Sequence, residues 1–175
     1  GSIAIGHYAG SAITSGQKNI AIGYLAMQDL DDGDDNVMIG WNAALDAASS
    51  GFSKNTGVGS YVFMQVAAGI DAENNAAGGF GACGGVMTDV AHDNTALGYK
   101  TLNASTSAKD NVCVGSSAGL NITSGDGNII VGKNALDVAT TATKNVFIGE
   151  EAGGTLRAGI AYQGAVAIGY QAMYG

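Results

Sequence analysis

The chain has 175 residues, 46% of them hydrophobic, with 29 glycines, no proline and a formal net charge of −8. That hydrophobic content excludes a disordered chain, while 7 basic residues against 15 acidic ones leave no basic face for nucleic acid or for an anionic membrane surface. No apolar run reaches membrane-spanning length, no secretion signal opens the chain, and Cys83 and Cys113 sit at different places in their surroundings, so they imply no disulfide and read as small buried hydrophobes.

In chain order, one five-residue word recurs: Asn19-Ile20-Ala21-Ile22-Gly23, then Asn36 to Gly40, Asn111 to Gly115, Asn128 to Gly132 and Asn145 to Gly149. Looser copies begin at Ser2, Asn55, Asn75, Asn94 and Ala165. Successive closing glycines lie 17 to 20 residues apart, a period that marks a solenoid. The coils run 2–18, 19–35, 36–54, 55–74, 75–93, 94–110, 111–127, 128–144 and 145–164, with an unfinished tenth from Ala165. The whole of 1–175 therefore reads as one all-β domain, a parallel β-solenoid of about ten 17–20-residue coils. The opening Gly1-Ser2 and the stop soon after a tenth word suggest a segment of something longer, with Gly1-Ser2 a possible cloning remnant.

Within the word, positions two and four are mostly Val or Ile, which gives a short strand with period two. The expectation is that these two point into the coil and position three points out. Position three is Ala4, Ala21, Met38, Gly57, Ala77, Ala96, Cys113, Ile130, Phe147 and Ala167, with no polar residue among them. An outward apolar stripe of that length needs a cover, and a second copy of the chain supplies one. These residues are therefore the expected interface of a homo-oligomer. Position one, almost always Asn, reads as a structural ladder at the corner entering the strand. The Gly at position five ends the strand through a positive φ or a close backbone approach. Position eight is mostly Ala and points inward, and polar loops close each coil.

The words Asn19 to Ala26, Asn94 to Tyr99 and Val166 to Ala172 resemble the head repeats of YadA-type trimeric autotransporter adhesins, and equally the similar repeats of phage tail-fibre proteins. The resemblance spans nearly the whole chain. It implies a left-handed β-roll, a homotrimer, a role in attachment, and an extracellular place on a bacterial surface or a virion tail fibre. The coils here are somewhat longer than the usual adhesin ones, and the sequence contains no neck, stalk or anchor.

No catalytic constellation stands out, so the expectation is a protein that is not an enzyme and needs no cofactor. His7 and His92 fall in different coils, and Glu150-Glu151 are adjacent in a turning segment. The densest charge, Asp29, Asp31, Asp32, Asp34 and Asp35, reads first as a solvated acidic turn; calcium is the alternative, without the closing Glu of a twelve-residue calcium loop. Position six is often aromatic (Tyr24, Trp41, Phe80, Tyr99, Tyr170), and Tyr61 to Met64 form a bulky run. Trp41, Tyr24, Tyr99, Tyr61 and Phe63 are the candidate contacts to a cell-surface glycan or protein receptor, with coil packing as the competing role. Residues 49–54 and 67–74, in the irregular coils, are the candidate recognition loops. Three functions remain: an attachment segment, a spacer or filament module without ligand, and an ice-binding solenoid. The last is disfavoured because Thr14, Thr123, Thr140 and Thr143 do not line up.

Overall fold

The computed structural model describes residues 1–47, 51–155 and 162–174. It is an all-β parallel solenoid, and among the described residues there is no helix. Positions two to four of every word form one three-residue strand, from Ile3–Ile5 in the first coil to Val166–Ile168 in the tenth. All ten lie side by side in one sheet in coil order. The pairing is parallel and in strict register, so Ala96 lies beside Ala77 on one side and Cys113 on the other. Each word stacks on its own copy, which is why the repeat is conserved down to the single residue within the chain.

The extra residues of coils three to five become strand. Asp46–Ala47, Gln65–Val66 and Val86–Met87 form a three-stranded parallel sheet, and Phe52–Ser53 pairs with Ala72–Glu73. Of the expected recognition loops at 49–54 and 67–74, Phe52–Ser53 and Ala72–Glu73 are thus paired strand, while 67–71 lies outside any strand; Ser49 and Ser50 lie outside the described residues.

The strand parity is the reverse of the expectation. Position three points inward: Ala21, Met38, Ala96, Cys113, Ile130 and Phe147 are fully buried, and Ala77 and Ala167 nearly so. These residues, expected at an interface between chains, form the core of their own chain. Ala4, in the first edge strand, is the one exposed residue of this row, while Ala167 in the other edge strand is buried. The reason lies in position one. Asn36, Asn111, Asn128 and Asn145 are fully buried, and side chains alternate along a strand, so whatever face takes position one also takes position three.

The asparagines go inside because their amides replace water for the turn. Asn111 Oδ1 accepts from the backbone N–H of Asn128 at 3.0 Å and from its Nδ2 at 2.8 Å. Its own Nδ2 donates to Asn94 Oδ1, Lys109 O and Gly125 O at 3.1, 2.9 and 2.8 Å. The same pattern runs from Asn19 to Asn145. Each corner thereby satisfies backbone groups that burial would otherwise leave without partners.

The closing glycines answer both earlier explanations. Their φ lies between +117° and +149°. A Cβ on Gly132 would also fall on the carbonyl oxygen of Gly149 in the next coil. Two further positions per coil, seven and nine, are left-handed whatever their residue: Tyr8, Leu25, Tyr61 and Lys100 at seven; Met27, Phe63, Leu102 and Leu136 at nine. So is the residue before each Asn, such as Lys18, Asp35 and Asp110. Such residues are strained singly, and the stacked coils hold them by backbone bonds such as Met27 N–H to Ala43 O at 2.9 Å.

Candidate functional site

With position three inside, positions two and four face out. Ile3, Ile5, Val58, Leu97, Val112, Ile129, Ile148, Val166 and Ile168 are exposed, and the Ile and Val residues between them are half-buried. Only Thr56 and Thr95 are polar on this face, and no charge interrupts it. At about 4.8 Å per strand and 3.3 Å per residue, ten three-residue strands present a face of roughly 45 by 10 Å. At about 450 Å² it is of the size of the largest apolar patch on a typical monomer, roughly 300–600 Å², and such patches are often functional.

Beyond the closing glycines the chain turns, and an aromatic ridge follows the rod. His7, Tyr24, Trp41, Tyr61, Phe80 and Tyr99 succeed one another with centroid separations of 5.5, 6.4, 5.1, 5.4 and 5.7 Å. Tyr61, one position later than its neighbours, fills the gap left by Ser60. Tyr24, Trp41, Phe80 and Tyr99 are each about half exposed. His7 stacks flat on Tyr24 at 4° and Phe80 on Tyr99 at 17°, so in those pairs the faces are spent on each other and the edges look outward. Phe63 departs from the expectation: it is fully buried, edge-on to Phe52 at 5.8 Å, and belongs to the core. Its place at a left-handed ninth position turns it inward.

The ridge is hollowed beside Phe80, at coil five. Position seven carries a side chain in the flanking coils (Tyr61, Lys100), but here it is Gly81, and three residues on stands Gly84 in line with Met64 and Asn103. Both glycines are buried. The missing side chains leave an open hollow of about 380 Å³ lined by Tyr61, Met64, Phe80, Gly81, Gly84, Lys100 and Asn103. Sequence reasoning singled out Tyr61 and Phe80 but missed the hollow, because it is made of absent atoms; the signal was a glycine at a ladder position filled in every other coil.

The acidic turn does not gather around a point. Asp31 accepts from Thr14 Oγ1, Asp34 from the Gln17 N–H at 2.6 Å, and Asp35 pairs with Lys18 at 3.5 Å. The carboxylates are thus spread along the preceding coil, and Asp32 joins no cluster among the described residues. A different group does converge: His92 Nδ1, an Asp93 oxygen and an Asp110 oxygen lie within 4.8 Å of one another, with His92 and Asp93 2.6 Å apart. All three sit at or near the surface. The two thiols are buried and unpaired; burial pushes Cys83 up to about 12 and Cys113 higher still, the second also raised by the first. Neither is a nucleophile at neutral pH.

Comparison with protein-family models, with curated proteins and with solved structures finds no match to this chain.

Proposed function

We propose that this chain is a segment of a non-enzymatic attachment rod, working outside the cell on a bacterial surface or a viral fibre, and that it acts as a homotrimer. The observation that supports this is the charge-free outward face of the ten-stranded sheet, on which Leu97, Val112 and Ile129 stand exposed on three successive strands. A second copy is the natural cover, because it brings rows of identical pitch and register that meet these row for row. The face argues for a closed assembly of copies; the number three comes from the resemblance of the repeat word. The interface argued from position three is therefore replaced by one built on positions two and four. Closing the sheet faces on an axis leaves the aromatic ridge, round the corner, turned outward for contact with a receptor.

The test is mass in solution. The unaltered chain should run at three times its 17.3 kDa chain mass. Val112→Lys with Ile129→Lys should bring it to a single chain that keeps its β circular dichroism. A monodisperse single chain at micromolar concentration, before any substitution, overturns the reading. A spacer without ligand is the second reading, favoured by the flat stacking of His7 on Tyr24 and Phe80 on Tyr99; glycan-array screening of the assembled rod separates the two.

A further inference from the structure

We infer that the hollow at coil five binds an acidic sugar, a hexuronic acid or a similar carboxylate-bearing unit of a glycan chain. The inference deepens the attachment reading by giving it a site and a ligand class. Three observations carry it: walls, floor and charge.

The walls are aromatic and inclined. Tyr61 and Phe80 meet at 62° with centroids 5.4 Å apart; Trp41 and Tyr61 are similarly inclined at 69°, but the hollow lies between Tyr61 and Phe80. Such walls suit the apolar C–H face of a pyranose ring. The floor is bare backbone at Gly81 and Gly84, which gives a volume of about 380 Å³, at the small end of ligand clefts. Its rim carries both polar functions such a ring needs. Asn103 donates its Nδ2 to Gly81 O at 2.7 Å, which fixes the amide and leaves Oδ1 to accept from a hydroxyl.

The charge decides between neutral and acidic sugars. In this chain of net charge −8, Lys18, Lys54 and Lys133 each pair with a carboxylate of the neighbouring coil. Lys100, like Lys109 and Lys144, pairs with none among the described residues, and it is the one of the three that lines the hollow; its ammonium stands 5.5 Å from the centroid of the Tyr99 ring. No carboxylate lines the hollow. A single cation beside aromatic walls and one amide matches one carboxylate on a sugar ring. A phosphate chain would call for more cations, and a fatty anion would leave the Asn103 oxygen without a donor.

Methyl β-D-glucuronide and methyl β-D-glucoside are titrated into the assembled protein and followed by NMR shift changes at Tyr61, Phe80 and Lys100. The glucuronide should bind in the millimolar range, at least about fivefold tighter than the glucoside, with the preference weakening as salt screens it. Lys100→Met keeps the aliphatic stem and should erase the preference. Gly81→Asn should abolish binding of both sugars: φ at Gly81 is +64°, and Asn42 occupies the same ladder position at +54°, so the side chain fits the backbone and fills the hollow. Equal affinity for the two sugars, an unchanged preference in Lys100→Met, or full binding in a folded Gly81→Asn each overturns the inference. Should Gly81→Asn fail to fold, Lys100→Met decides. A trimer that binds neither sugar overturns the hollow and leaves the assembly standing; a single chain that binds the glucuronide does the reverse.

Discussion

Truncating one rung of the buried asparagine ladder should cost far more than its loss of one small side chain suggests. In Asn111→Ala, Asn128 loses the acceptor for its backbone N–H, and Gly125 loses the donor to its carbonyl. The other partners survive: Asn128 Nδ2 keeps Ala142 O at 2.7 Å, Lys109 O keeps the Gly127 N–H at 2.9 Å, and Asn94 Oδ1 keeps the Asn111 N–H at 3.1 Å. Two buried backbone groups are thus orphaned, at about 1–3 kcal/mol each, so the expected loss is about 4 kcal/mol. That is a large part of the 5–15 kcal/mol typical of a domain. The control is Asn121→Ala, the same chemical change at an exposed residue with one bond, Nδ2 to Asp137 O at 2.6 Å; it should cost at most about 1 kcal/mol. Urea unfolding at one fixed protein concentration measures both, since assembly feeds into apparent stability. Hydrogen exchange adds a local readout, because the Asn128 amide should lose its protection selectively. If Asn111→Ala costs no more than Asn121→Ala, the ladder does not satisfy the corner as argued.

Three further outcomes follow from the same geometry. Gly132→Ala should prevent normal stacking or cost roughly 3 kcal/mol, since it combines a strained φ of +137° with a clash on the Gly149 carbonyl, whereas Gly69→Ala, with φ +78° and open space, should cost about 1 kcal/mol; equal melting temperatures would contradict this. Cys83 and Cys113 should resist a thiol reagent at pH 8 in the native protein and react only on unfolding; fast native labelling would refute their burial. Burial, with repulsion from Glu151 as a smaller contribution, raises the Asp137 carboxyl above 3.8, against a backbone bond that lowers it, and its Oδ1 has no partner. The folded state then holds that proton more tightly than the unfolded one, so stability is greatest below 3.8 and falls as pH rises through the raised folded value. Asp137→Asn should accordingly stabilise at pH 7 and give no gain at pH 3, and an equal gain at both would sink the assignment.

Much of this was open to reading in the chain. The word, its period, the strand inside it and the stacked asparagines all follow from residues such as Asn19 to Gly23, because in-register stacking repeats each requirement once per coil. The left-handed positions were harder. Leu25, Phe63 and Leu102 carry no local sign of positive φ, since the strain is imposed by stacking and not chosen by the residue. A sign exists in what is missing. In a chain rich in Val, Ile and Thr, none of these appears at position seven, at position nine or just before the Asn, where a β-branched side chain tolerates positive φ least. The candidate site divides likewise: Tyr24, Trp41, Tyr61 and Tyr99 are visible as aromatics at fixed places, while the hollow is the absence of a side chain at Gly81.

The strand's parity was lost because all three of its residues are apolar, and hydrophobicity alone cannot order them. Size can. Residues sharing a thin core must share its volume, so a large one at position three requires a small one opposite. Positions three and nine obey this: Gly57 with Phe63, Ala96 with Leu102, Ala21 with Met27, and in the opposite sense Met38 with Ala44 and Phe147 with Gly153. The contacts agree, since a Cβ on Gly119 would meet Cys113 Sγ at 3.2 Å and the Ile130 side chain at 3.2 Å. The one coil with two large residues, Ile130 and Leu136, has Gly119 and Gly153 at position nine of the coils on either side, which frees the room. Positions two and four show no such exchange: outside coils four to six, where Thr56, Ala76, Gly78, Thr95 and Leu97 stand, they are Val or Ile whatever lies inside. Under the proposed assembly that uniformity has a use, since a cover with the same pitch, such as a second copy, would require the same residue types in each coil it meets.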